Sequence, residues 1–502
     1  MKTIIPLFVV AVLIVHLPQA QAISPTPDGC YPNFTTAEGC KALNSLTTGA
    51  GNTALGWYSL FGNSTGSFNT AVGAGALDLN TADNNTAIGV AALLLNTTGT
   101  GNTADGVDAL VFNDTGSLNT ANGAFALLNN TTAVNNTATG YAALYSNTTG
   151  TENTAIGVQA LYFNTVSGNT ATGAFALLQN TTGVNNVANG DGALQNNTTG
   201  SDNTATGYQA LSSNVDASGD TANGSQALLN NTNGSQDTAT GAQALFFNTT
   251  GFNNTAVGSG ALFSNTAGHD NTAVGTNALG SSTGNFNIAL GDLAGNDVTT
   301  AGNVICIGAD VRGANVSNSC YIGNIFNATS SGGLGVLVNA DGKLGTTTSS
   351  RRFKDDIKSM GQTSEAILAL KPVSFRYKKE IDSAGISQFG LVAEDVEKVN
   401  PDLIVRDEEG KPYSVRYDQV NTMLLNEFLK EHKKVEEQQA AISELKSVVA
   451  QQQKEFHQVI AQQQEQMENV IARLKQQEAK IQRVDDWIEL NKTARQTVAN
   501  NQ

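Results

Sequence analysis

A seventeen-residue period restricts the fold of this 502-residue chain more than any other feature. The unit reads N-T-A-x-G-x-x-A-L-x-x-N-T-T-G-x-x. Sixteen copies begin at Asn52, Asn69, Asn85 and so on, through Asp220 and Asp237 to Asn287 and Asn303, spaced by seventeen residues or occasionally sixteen. Seventeen residues cannot hold two packed helices. They can hold two short strands and two turns, with Gly73 and the N-T-T-G segments as turn chemistry. Small apolar residues such as Ala71, Ala76 and Leu77 recur at fixed places. One unit is too small to bury its own apolar face, so successive coils must stack. The expected fold class is mainly β: a repetitive β-solenoid or β-roll fibre over residues 52–325. Each strand pairs with its equivalent one coil away, and the leading Asn residues form an amide ladder along the axis. At ~4.8 Å per coil the array is roughly 75 Å long. Its core positions are mostly Ala, so a lone coil encloses little apolar area. Three chains wound together bury the Leu and Phe positions between them, which makes a homotrimer a physical expectation.

The repeats resemble the head repeats of trimeric autotransporter adhesins, which share the N-T-A-x-G-x-x-A pattern. That resemblance covers about half the chain and implies a trimeric β-roll. Charge narrows the partners. No Lys or Arg lies between Lys41 and Arg312, and the formal net charge is −16. Such a surface repels phosphates and anionic lipid, so no nucleic-acid partner is expected. The open partner is a surface ligand of the glycan or host-cell-surface kind. Lys2, the apolar run Ile4 to Leu17 and Ala20-Gln21-Ala22 read as a secretory signal peptide over residues 1–22, cut near Ala22. An uncleaved anchor is the alternative. The localisation implied is secreted, cell surface or outer envelope. Export permits disulfides, and the local pairs Cys30–Cys40 and Cys306–Cys320 sit at the two ends of the array. Residues 23–51 form an N-terminal cap segment. No cysteine or histidine spacing suggests zinc, so no metal or cofactor is expected. The many N-x-T triplets are assigned to turns and ladder, with glycosylation in a eukaryotic host as the alternative.

The chain changes character after Ile325. A linker, residues 326–348, carries Ser330 to Gly335, then Val336-Leu337-Val338 and a turn at Asp341-Gly342. It leads into T-T-T-S-S-R-R-F-K-D-D-I, Thr346 to Ile357, where Arg351, Arg352 and Lys354 arrive together. Beyond it the pattern predicts a helix over Ser364–Leu370 and a strand over Pro372–Tyr377. A second apolar run, Gln388–Ala393, leads to a helix over Glu394–Val399. A hairpin around Glu409-Gly410 follows, and a long helix from Asp418. Four ordered blocks stand in this stretch: S-x-x-R-x-K-x-x-I from Ser349, K-P-V-x-F-x-Y from Lys371, G-x-V-A-E-x-V-E-K-x-x-P-x-L from Gly390, and Y-x-x-V-N from Tyr417. Together they resemble the peptidase S74 domain, the C-terminal intramolecular chaperone of phage endosialidase tailspikes and tail fibres. The match covers residues 349–430. The resemblance implies a domain that trimerises, helps its fibre fold, and then cuts itself off. Carried over, the nucleophile is Ser349, the cut falls between Thr348 and Ser349, the base is Lys354, and Arg352 supports the site. Many family members have Asp or Asn after the serine. This chain has Ser350, a rival nucleophile. A serine hydroxyl needs a base. Lysine serves only when neutral, which burial or the neighbouring cations favour.

Residues 431–502 read as a coiled coil. Ile442, Leu445, Val449, Gln452, Phe456, Val459 and Gln463 step by three and four, and Met467 to Ile488 continue after a stutter. Such a seam aligns three chains, or else binds a foreign helix. Two functions follow: a secreted trimeric fibre, adhesin-like or tail-fibre-like, with a self-cleaving serine-endopeptidase chaperone acting once in cis, or a non-cleaving structural adhesin that keeps its helical stem. A glycan-degrading tailspike would need paired carboxylates in an inserted domain, and the repeats are too uniform to hold one.

Overall fold

The computed structural model describes residues 32–339, 341–407 and 409–499. The expected signal peptide and Cys30, and with Cys30 the Cys30–Cys40 pair, lie outside them. The chain divides into two compact units, one ending at Thr329 and the other beginning at Ser330.

The first unit is a β-solenoid. Eighteen parallel strands, from β1 (Thr36–Glu38) to β18 (Ser319–Ile322), form one sheet. Register is kept from coil to coil: Thr53 stands opposite Thr70, Ala54 opposite Ala71, and Leu55 opposite Val72. Two coils beyond the sixteen starts take part, and the sheet is roughly 80 Å long. From Ala54 to Ala289 the Ala at each strand centre points inward and is fully buried, while the flanking residues face out.

Each coil holds one strand, not the two expected. The Ala-Leu segment that would have supplied the second is a ribbon with left-handed residues. Leu77, Leu93 and Leu110 have φ of 53°, 52° and 55°, and Ala91 and Phe125, two residues before such a Leu, have 57° and 63°. Left-handed backbone costs an L-residue about 1–2 kcal/mol. Two effects offset it. The Leu N–H groups donate to the next coil, Leu77 to the Ala92 carbonyl at 3.0 Å and Leu93 to Ala109 at 2.9 Å. Each Leu side chain is also fully buried, worth about 2 kcal/mol. Glycine is required once per coil. Gly73 has φ 137°, and a Cβ there would lie 2.3 Å from the Gly89 carbonyl oxygen.

Two asparagine columns run inside the array. In the first, the expected ladder forms, but mainly between side chain and backbone. Asn119 N–H donates to Asn102 Oδ1 at 3.0 Å, and Asn119 Nδ2 donates to the Ala133 carbonyl at 2.8 Å. The second column is the Asn of N-T-T, where Asn113 Nδ2 donates to Asn96 Oδ1 at 2.7 Å and Asn130 Nδ2 to Asn113 Oδ1 at 2.6 Å. Asn96, Asn130 and Asn147 are fully buried there, as the assignment of N-x-T triplets to the ladder requires.

This interior also corrects the packing argument for a trimer. The Leu column from Leu60 to Leu279 has no solvent exposure within one chain. The coil seals its own core, and only larger outward residues such as Phe163 and Phe247 remain half exposed. Cys306 and Cys320 do not pair as expected. Cys306 stands opposite Tyr321 and Cys320 opposite Ile305, an offset of one residue that places the two thiols on opposite faces of the sheet. Both are free, Cys306 buried and Cys320 exposed.

In the second unit, β19 (Val336–Val338) and β20 (Leu344–Thr346) pair as an antiparallel hairpin. A 3-10 helix spans Thr363–Ala369 where a helix was predicted. Strand β21 (Val373–Phe375) pairs antiparallel with β22 (Gln388–Gly390). Helix α1 (Ala393–Val399) ends at Asn400, before Pro401, as predicted. The predicted hairpin is β23 (Ile404–Arg406) with β24 (Pro412–Val415). A small core gathers Ile367, Val396, Leu403, Ile404, Val415, Val420 and Met423. The last two belong to helix α2 (Tyr417–Ala499), 83 residues long and continuous through the stutter. Of its seam residues, Leu445, Phe456, Met467 and Leu474 stand more than half exposed.

Candidate functional site

Ser349 and Ser350 follow β20, Ser350 in extended backbone, and Arg351–Phe353 form one 3-10 turn. The turn is closed by Phe353 N–H to the Ser350 carbonyl at 3.0 Å and Lys354 N–H to the Arg351 carbonyl at 3.1 Å. The Arg352 guanidinium lies over the Phe353 ring, 4.6 Å from its centroid. Every residue from Asp341 to Ser359 is exposed. The structure therefore brings Ser349, Arg352 and Lys354 onto one short solvent-facing turn. Among the described residues no hydrogen bond or ion pair joins Ser349 to Lys354. Thr348 Oγ1 accepts a long bond from Ser350 N–H at 3.4 Å.

The segment entering this turn borders an open groove of about 900 Å³. Thr346 and Thr347 line it on one side, and Arg406, Tyr413 and Arg416 of the β23–β24 hairpin region on the other. Arg406 is held there by Glu397 at 2.6 Å and by the Gly410 carbonyl at 2.9 Å. The upstream side of the Thr348–Ser349 bond thus adjoins a wall carrying two guanidinium groups.

A polar clamp fixes the start of α2 to the domain. Ser364, fully buried, accepts from Asn426 Nδ2 at 2.6 Å and donates to Glu427 Oε1 at 2.5 Å. Lys430 Nζ bonds Glu427 at 2.8 Å and Glu365 at 3.2 Å. The hydrogen bond from Lys430, and then that from Ser364, hold the Glu427 carboxyl below the usual carboxylate range. Sequence reading did not find this clamp. Its members lie 62 and 63 residues apart, and the only local trace is the i,i+3 pair Glu427/Lys430.

Residues 349–405 match the family model of peptidase S74, described as chaperone of endosialidase. The match begins at Ser349 and ends on β23, so it takes in the exposed turn and most of the small domain. No curated protein matches the chain.

Proposed function

From a peptidase S74 module joined to a β-solenoid, we propose that this protein is a secreted or surface fibre whose C-terminal domain and long helix assemble three chains and then cut themselves away at Thr348–Ser349. The observation that carries the reading is the start of the family match at Ser349, on an exposed turn directly behind the neck hairpin.

The chemistry follows from position. The Ser349 hydroxyl sits beside the carbonyl of Thr348, so its attack closes a five-membered ring. Lys354, neutral, takes the hydroxyl proton. The C–N bond breaks, the freed Ser349 amine collects that proton, and Thr348 is left as an ester on Ser349 Oγ. Water then hydrolyses the ester to the Thr348 carboxylate and the free serine. In the single chain Lys354 is exposed. Burial against neighbouring chains supplies the desolvation, which delays the cut until the fibre has assembled. Arg352 supports the turn and adds positive charge beside Lys354.

Denaturing gels with N-terminal sequencing of the wild type, Ser349→Ala and Lys354→Ala test this. A fragment beginning at Ser349, absent from both variants, is expected. A single intact chain in all three would leave the alternative, a structural adhesin that keeps its helical stem. The exposed, unjoined Ser349 and Lys354 favour that alternative, as does Ser350 in the place of an acid or amide.

A further inference from the structure

Outside its sealed core, the solenoid exposes apolar residues on several faces, and one of them forms a continuous column beside the core Leu residues. The residue after each core Leu is large and apolar on six successive coils: Leu94, Val111, Leu128, Tyr145, Tyr162 and Leu178. Val111 and Leu128 are buried by their neighbours in the stack. Tyr145 and Tyr162 are stacked at 4.8 Å with planes 2° apart. After a polar interval at Gln195 and Ser212 the column resumes, with Phe246 stacked on Phe263 at 5.3 Å. The next column outward places Phe163 and Phe247 at 48% and 45% exposure. Only Asp78 and Asp108 put carboxylates on this ridge, whereas the strand face pairs a Thr column with a mixed one that holds Asp105, Asn122 and exposed Ile88 and Ile156.

We infer that this ridge is the surface along which copies of the array lie side by side, in register, in the assembled fibre. The inference rests on the self-association proposed above and adds which face is used. Three observations select a second copy as the occupant. The ridge repeats at the coil spacing of ~4.8 Å over the eleven coils from Leu94 to Phe263, about 50 Å, and another array of the same chain has that period over that length. It is nearly uncharged, and the array has no Lys or Arg between Lys41 and Arg312, so an anionic partner finds no complement there. With a width of about 10 Å the ridge covers about 500 Å², within the range of the largest patch a monomer leaves exposed. Two copies would bury about 1,000 Å² between them, the threshold for a specific interface.

The test uses the full chain with p-benzoylphenylalanine in place of Phe163, Phe247 or, as the control on the strand face of the Phe163 coil, Thr154. Light scattering first gives the mass, and irradiation then reports the neighbour on a denaturing gel. Expected is a trimer mass, with chain-to-chain crosslinking from Phe163 and Phe247 at least tenfold above that from Thr154. A trimer mass with crosslinking from Thr154 equal to or above the ridge positions overturns the assignment of this face and leaves self-association standing. A single-chain mass overturns both.

Discussion

Two successive coils carry Asp where their neighbours carry Asn, and protonation of these carboxyls is expected to control local stability. Asp220 and Asp237 are fully buried in successive coils. Asp220 Oδ1 accepts from Asp237 N–H at 2.9 Å and its Oδ2 from Asn231 at 3.0 Å. Asp237 accepts from Asn254 N–H at 2.7 Å and from Asn248 at 2.9 Å. An Asn here also donates to the carbonyl fourteen residues on, as Asn203 does to Ala217 at 2.9 Å. A carboxylate has no proton to give, whereas a carboxylic acid does. Burial pushes Asp220 up to about 8 and Asp237 up to about 7, against an ordinary value of 3.8. The folded values are raised, so the folded state binds more protons between pH 3.8 and the folded values, and stability falls as pH rises through that window. The slope is about 1.4 kcal/mol per pH unit for each group, or about 5 kcal/mol for both between pH 5 and pH 7. In a stacked array the loss is felt nearest those coils. Native-state hydrogen exchange from pH 5 to pH 8, corrected for intrinsic rates, should show the opening free energy over residues 203–271 falling with pH, while coils 102–170 change little. Asp220→Asn with Asp237→Asn should remove the slope and stabilise the segment at pH 8. The same pH profile in wild type and double variant would refute the reasoning.

Gly140→Ala should destabilise the array by at least about 2 kcal/mol in thermal unfolding, because φ is 130° and the new Cβ would stand 2.5 Å from the Gly157 carbonyl oxygen. Leu144→Ala leaves a cavity in a fully buried column. It should cost about 3 kcal/mol, with hydrogen exchange rising in adjacent coils before the ends. A chain ending at residue 430 retains Val420, Met423 and Lys430 but loses most of α2. Circular dichroism should show the array intact and light scattering a single-chain mass, and a surviving multimer would show that α2 is not what assembles the chains.

The sequence by itself determined the coil. The backbone pairing between coils joins residues one period apart, so the spacing of Asn52, Asn69 and Asn85 encodes the long-range register directly, and Gly73 and Ala71 mark positions with no room for larger groups. The small domain was equally legible element by element, from alternation at Val373 and Phe375 to the stop at Pro401. Tertiary structure decided what no local pattern carries. The Leu of each Ala-Leu pair is left-handed because inter-coil hydrogen bonds and burial outweigh its backbone preference, and this turned an expected strand into a turn ribbon. The N-T-T asparagines, which look like turn residues, became a second buried ladder because the turn folds them inward. A one-residue offset between coils put Cys306 inside and Cys320 outside. Ser364, Asn426 and Glu427 met only once the start of α2 packed onto the domain core. Ser349 and Lys354 share a turn through sequence proximity alone.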